Sequence, residues 1–560
     1  MTFGMDGNGF KAFLRVVGIF LVLGVAACQP AREPTITARS QNETRPNVLI
    51  FVADALGPEL GAYENPAAVT PNIDRLAAEG VTYASAYAAS GSQGAAWGSV
   101  LTGMYPQTLG IIQDWTGQRG WNVAPKPEVK AFPELLRQAG YHTFRIGPKN
   151  DPFGGANALW DVDIRTVDAT WIEADVPQPF LGVIEISTLP RDDKDAPKAK
   201  KKGFFERLFA KKEKPPTPVV IDPAKIVVPS YLPDTPAVRA ALKARYQRIA
   251  ALDARVGETM ERLRKSGALN NTIIMVTART GSPWPRGERT LYDSGVHIPL
   301  IVRYPDGRGR GTVSRALVSG VDIAPSVITL AHGRPMAWVQ GRDRLSVRPG
   351  PSAGFVYSIQ NRVGTVVERS RAVRDSRYLF LLNEVPATRL WHLARRGDLY
   401  DAVAGQGGAT TLGPNQTTPR AEIELYDLRT DPAQVRNLAG DAGHIADVQR
   451  LRAALAAFNA ITPDMSYEST QMLRDRFQPA GQTPVTAAPV LQLVGGRVLM
   501  EALTPGSTIE WRRNEKDGWK LYRGPVALPR DGRLEARASR YGFIDSEPQV
   551  FDSRKTKRKK

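Results

Sequence analysis

Side chains able to ligate, attack or shuttle protons are scarce in this 560-residue chain. There are five histidines (His142, His297, His332, His392, His444) and one cysteine, Cys28. No disulfide can form within one chain, so stability must come from the core. Asp54 closes the apolar run Asn47–Ala53 (NVLIFVA), a strand pattern expected where both faces of a parallel sheet are covered. A carboxylate at the carboxyl end of such a strand stands where open α/β sheets place their ligands. Trp511, Trp519 and Tyr522 form a second candidate group, either a sugar-stacking platform or ordinary packing aromatics.

The elements around Asp54 follow from periodicity and punctuation. Pro71–Glu79 reads as a helix opened by proline and stopped by Gly80. Phe132–Ala139 is a short helix closed by Gly140, and Thr143–Ile146 and Val183–Ile186 are strands. Leu242, Tyr246, Ile249, Leu252, Val256, Met260 and Leu263 recur at three- and four-residue spacing, marking a long amphipathic helix over Val238–Lys265. Asn271–Thr277 (NTIIMVT) is the next buried strand. This alternation predicts an α/β fold with a mostly parallel central sheet. After Pro479 the pattern changes to short alternating strands (Val498–Ala502, Thr508–Trp511, Leu534–Ala538) with Pro-Gly and Asp-Gly turns, which predicts a small all-β sandwich over 480–553.

The amino-terminal segment carries an address. Lys11 and Arg15 precede the apolar run Val16–Ala27, too short for a stable membrane span and right for a signal peptide. Val25-Ala26-Ala27-Cys28 resembles a bacterial lipobox, so residues 1–28 are expected to be a lipoprotein signal with lipidation at Cys28. Residues 29–44 are polar and proline-containing, a tether. Gln29 rather than Asp after the cysteine fits an outer-membrane destination. The formal charge of +18 is concentrated rather than spread. Lys194–Lys214 holds nine Lys/Arg against three Asp/Glu, and the tail 554–560 holds six basic residues and no acid, together two-thirds of the excess. A nucleic-acid face would need that charge distributed over a folded surface, so nucleic acid is not an expected partner. Anionic headgroups or acidic glycans are. The first of these segments lies in a basic, low-complexity insertion at 191–219.

Several ordered segments carry a family resemblance. Arg45–Gly57 (RPNVLIFVADALG), Thr70–Tyr87 (TPNIDRLAAEGVTYASAY), Leu101–Pro106 (LTGMYP), Gly287–Tyr304, Leu317–Ser326, Arg371–Tyr378 and Glu424–Leu438 closely resemble the sulfatase family of the alkaline-phosphatase-like superfamily, with a heparan N-sulfatase-like flavour. The resemblance implies a sulfatase-like domain over 45–465. The carboxy-terminal segment is similar to a chitobiase C-terminal-type domain.

That family uses a hard divalent cation held by oxygen ligands, a formylglycine made from Cys or Ser, and Lys and His groups around the sulfate. Aligned to its motifs, this chain departs at almost every such position. Counting back from Leu101-Thr102-Gly103 places Gln93 at the nucleophile, Ala95 at the motif proline and Trp97 at the supporting arginine. The paired aspartates of the first strand are Asp54-Ala55, so Asp54 alone is retained as a ligand. The family's Gly-Lys-x-His is met by Gly147-Pro148-Lys149-Asn150, and its His-x-Pro-His region by Ser187–Arg191. Arg279 and Thr280 replace the later metal-binding pair, and Glu288 replaces a lysine. No histidine falls on a catalytic position.

The resemblance therefore implies a cell-envelope, lipid-anchored pseudo-sulfatase without catalytic residues, binding a glycan or an envelope protein. The alternative is a divergent sulfatase or related hydrolase acting on sulfated or phosphorylated glycans. No cofactor is expected in the first case, calcium in the second. Charge bookkeeping in the altered site predicts that Arg279 stands in for the metal by pairing with Asp54, with Trp97 filling space beside it.

Overall fold

The computed structural model describes residues 45–112, 122–147, 152–154, 159–164, 176–189, 219–334, 336–346, 353–363, 366–388, 398–404 and 419–556. Cys28, Lys149, Asn150 and residues 190–218 lie outside them, and so does His392.

The apolar runs form one eight-stranded sheet. Its strands are β1 (Asn47–Ala55), β2 (Val81–Tyr83), β4 (His142–Ile146), β5 (Val162–Ile164), β6 (Phe180–Ile186), β7 (Thr272–Thr280), β8 (Leu300–Arg303) and β9 (Thr312–Ser314), in the order β5-β4-β6-β1-β7-β8-β2-β9. A two-residue strand β3 (Ala86–Tyr87) pairs with β10 (Val318–Ser319) beside it. Pairing is parallel from β5 through β7, and β8 runs antiparallel to both its neighbours. β1 and β7 are buried almost throughout, as strands covered on both faces must be. Each large apolar side chain so buried contributes about 1.5–3 kcal/mol. Gly182 in β6 is a packing requirement, because a Cβ there would lie 2.2 Å from the Phe144 ring.

Helices cover the sheet. They include α1 (Pro71–Ala78), α2 (Gln93–Thr102), α3 (Phe132–Gln138) and α4 (Pro236–Lys265). α4 starts where Thr235 Oγ1 accepts the Val238 amide and ends with Arg262, Arg264 and Lys265, cations placed favourably against the helix dipole. All seven apolar residues predicted for its stripe are buried. Within that stripe Asp253 is buried too, and caps α1 from outside by accepting the Asn72 amide at 3.0 Å and the Ile73 amide at 2.8 Å. An antiparallel sheet, β11 (Val356–Val363), β12 (Val366–Arg374), β13 (Tyr378–Asn383) and β14 (Ile423–Asp427), follows the main sheet.

The carboxy-terminal strands make two antiparallel sheets. One is β15 (Val490–Val494), β16 (Arg497–Glu501) and β19 (Val526–Ala527); the other is β18 (Lys520–Leu521), β17 (Thr508–Arg512), β20 (Arg533–Ser539) and β21 (Gln549–Asp552). They enclose a core of their own: Val498, Met500, Ile509, Leu534, Ala536 and Phe551. The outer face of β17 meets α3 through polar groups. Arg137 Nη1 donates to Glu510 at 2.7 Å and its Nε to Asp161 at 2.6 Å, while Thr508 and Tyr541 donate to Glu134.

Candidate functional site

The cleft is built at the carboxyl ends of β6, β1 and β7. Val52 stands between Glu185 and Thr277 in register. One step toward the cleft, Asp54 stands beside Arg279, between the Ala53–Ala278 and Ala55–Thr280 pairs. Alternation puts Val52, Asp54, Glu185, Thr277 and Arg279 on one face of the sheet. α2 packs over β7 and covers that face.

Asp54 is half-buried and its carboxylate is already supplied with donors. Ser187 Oγ donates to Oδ2 at 2.5 Å. Oδ1 accepts the Thr188 amide at 2.9 Å and the Ala55 amide at 2.8 Å, and the Thr188 hydroxyl, whose one proton is shared between two acceptors, lies 3.0 Å from Oδ1 and 2.7 Å from the Ala55 carbonyl. A second network fixes those donors from below. Arg245 of α4 donates to the Ala55 carbonyl at 2.7 Å, to the Thr188 carbonyl at 2.9 Å and to Glu59 at 3.0 Å. Glu59 also accepts from Ser282 Oγ at 2.9 Å and from the Gly57 amide at 3.1 Å.

Arg279 does not pair with Asp54, contrary to the charge argument from sequence. Its Nη2 lies 2.7 Å from Glu185 Oε2, and its guanidinium carbon lies 5.1 Å from the Trp97 ring centre. The reason is competition for charge. Ser187, Thr188 and Ala55 satisfy Asp54 without a cation, whereas Glu185, 6 % exposed inside the sheet, gains more from one. Arg279 itself is 2 % exposed and Trp97 1 %. Gly147 makes room for this pair, since at its φ of 152° a Cβ would stand 2.5 Å from Glu185 Cβ. Thr280 is buried and donates its hydroxyl to the Asp54 carbonyl at 3.3 Å, a backbone contact between strands.

Gln93 is the first residue of α2 and is buried, as is Ser92 before it. The Ser92 hydroxyl accepts from Gln360 Nε2 of β11 at 2.7 Å, and the Ser92 amide donates to Ser90 Oγ at 3.2 Å. An amide facing Ser92 cannot take its proton, so Ser92 has no general base in Gln360. Glu288 is buried in the loop after β7, its amide bonded to the Ser282 carbonyl at 2.7 Å. In the same loop Arg286, at φ 67°, lies 3.8 Å over the Tyr292 ring and donates to the carbonyls of Ala433 and Gln434.

Three of the described histidines are placed elsewhere. His142 opens β4 at its amino end, 3.8 Å from Asp161. His297 is stacked on Tyr87 at 4.9 Å, with Nε2 2.9 Å from the Ala84 carbonyl, and burial pushes its pKa below the usual imidazole range. His444 stands just before the helix Ile445–Ile461, 3.6 Å from Asp447 in its first turn. Among the described residues no group of three or more His, Cys, Asp or Glu is arranged to hold a metal ion. Among the described residues Asp54 accepts N–H and O–H donors, and its neighbour in register on β7 is the guanidinium-bearing Arg279 rather than a second carboxylate. Trp511 and Tyr522 pack against the sandwich core, with the Tyr522 hydroxyl accepting the Met500 amide at 3.1 Å, and Trp519 lies under Arg512 and Arg537 at 4.4 and 4.3 Å.

Glu185, Arg245, Glu59 and Gln360 were not singled out from sequence. Arg245 had a readable signal, a charged residue on the apolar stripe of α4.

The Sulfatase family model matches residues 46–161 and 178–333. An ulvan-active sulfatase of Formosa agariphila is 26 % identical over 541 residues, covering 90 % of each chain. An N-sulphoglucosamine sulphohydrolase of Homo sapiens is 27 % identical over 490 residues, 80 % of this chain and 93 % of its own. In fold, the crystal structure of a phosphonate monoester hydrolase of Agrobacterium radiobacter superposes with a TM-score of 0.52 at 15 % identity, over 82 % of this chain and all of that one.

Proposed function

The chain belongs to the sulfatase family, and from that premise we propose that it is a non-catalytic member: a lipid-anchored cell-envelope protein that binds a glycan or an envelope protein. The observation that carries this reading is the state of Asp54. Its oxygens are occupied by Ser187, Thr188 and Ala55, so the one retained ligand position offers a cation little. Gln93, at the nucleophile position, has no ionisable or nucleophilic oxygen. Several members of the constellation are changed together, and the remainder of a catalytic unit does little alone. The ligand class follows from the named relatives, one ulvan-active and one acting on N-sulphoglucosamine: a sulfated polysaccharide is the first glycan to test. Anchoring through Cys28 would hold that binding surface at a membrane.

The same relatives favour the competing reading of a divergent sulfatase using calcium. One experiment separates the two. Purified protein is assayed for hydrolysis of an aryl sulfate and of sulfated oligosaccharides with and without calcium, alongside binding to immobilised sulfated polysaccharide and partner capture from solubilised membranes. Binding or capture without turnover is the expected result. Calcium-dependent turnover above a protein-free control would overturn the proposal.

A further inference from the structure

We propose that Arg279 is a built-in cation that does the structural work of a divalent ion in this cleft, making the fold independent of metal. A pocket without turnover can still need an ion to hold its strands, so independence from metal is a separate property.

Three strands end at the cleft in the order β6-β1-β7, and Glu185 and Asp54 bring two carboxylates to one face of them. Glu185 is buried inside the sheet and needs a positive partner to stay charged there. Arg279, on the third strand, supplies it. The guanidinium reaches Glu185 at 2.7 Å across the β1 row and so ties β6 to β7 over the strand between them. Trp97 lies 5.1 Å from the guanidinium carbon and shields the pair, with the ring face adding cation–π attraction. Shielding raises the strength of the pair and also the penalty for breaking it. Asp54 completes the arrangement, since hydroxyl and amide donors hold it without a cation. A calcium ion in this place would meet a permanent positive charge that cannot be deprotonated. Trp97, Arg279 and the Ser187–Thr188 donors therefore act as one replacement set: a cation, its cover, and the groups that occupy the remaining acid.

The test is thermal unfolding of the whole protein in EDTA and in millimolar calcium. Wild type should melt at the same temperature in both. Arg279→Asp returns a carboxylate beside Asp54 and Glu185, and should melt lower than wild type in EDTA by about 5 °C or more. Calcium should recover part of that loss in the variant. A calcium-induced rise in the wild-type melting temperature overturns the proposal, and so does an Arg279→Asp variant as stable as wild type in EDTA. Should that variant not fold, Glu185→Gln tests the same pair without adding an acid. It should lower the melting temperature in EDTA, and a value equal to wild type overturns the proposal. Turnover of a sulfate ester without any calcium response would remove the functional reading and leave this one standing; a calcium response without turnover would do the reverse.

Discussion

Replacing Arg137 with Leu should loosen the carboxy-terminal sandwich from the rest of the protein. Arg137 is fully buried and holds two acids, Glu510 at 2.7 Å and Asp161 at 2.6 Å. Removing one partner of a buried pair costs about 3–5 kcal/mol, because the other charge is stranded. Two features reduce that figure here. Glu510 keeps Arg537 at 2.7 Å, and the Asp161 side chain is 22 % exposed and partly hydrated. The expected loss is therefore about 2–4 kcal/mol, felt at the α3–β17 contact rather than in either core. Calorimetry should then show the single wild-type transition broadened or split, with the sandwich melting first. A double-mutant cycle with Glu510→Gln should give a coupling of about 1–3 kcal/mol. Additive effects of the two substitutions, within about 0.5 kcal/mol, would refute the claim that this pair fastens the sandwich.

Three further outcomes are expected. Burial disfavours the charged form of His297, with Arg374 adding to that effect against Asp293, so its folded pKa lies below the ordinary imidazole value of about 6.5. Its contribution is complete above about pH 6.5 and is lost as pH falls through the depressed folded value; His297→Phe should flatten that acid limb of a melting-temperature profile, and an unchanged slope would count against it. Cys28→Ala should move the protein from the membrane fraction to the soluble one, a shift that fails to appear if the anchor is not there. Gln93→Cys alone, coexpressed with a formylglycine-generating enzyme, should show no sulfate-ester turnover, because Ala95 and Trp97 still occupy the motif's proline and arginine positions; measurable turnover would contradict this.

The buried strands and the long helix were legible because each carries its own signal. Asn47–Ala53 and Asn271–Thr277 read as strands from continuous apolar runs, and α4 from seven apolar residues on one face. Counting from the resembling segments singles out Gln93, Trp97 and Arg279, and the structure sets the Trp97 ring beside the Arg279 guanidinium. What counting does not supply is the choice of partner. Arg279 has Asp54 beside it in register and Glu185 a diagonal step away, and the outcome turned on hydroxyls of Ser187 and Thr188 that lie beyond β6. Glu185 drew no notice inside the apolar run Phe180–Ile186, although a lone acid in a strand covered on both faces is itself a sign of a buried partner. The Arg137–Glu510 pair joins residues 373 apart, a contact on which no local pattern bears.

The place of β1 in the sheet has a consequence for how the chain is made. Among the described strands it is the first in the chain, and it is enclosed within the sheet, with β6 on one side and β7 on the other. Asn47 finds its register mate at Thr272, and α1, an eight-residue helix too short to persist alone, takes its cap from Asp253 of α4. At about 5–20 residues per second, β1 waits on the order of 10–45 s before its second neighbour exists. For that interval this buried apolar strand has no native neighbour on one side, so the early chain must be kept from pairing wrongly until residue 280 has emerged. Slowing translation within 190–270 should therefore raise aggregation more than slowing it after 300.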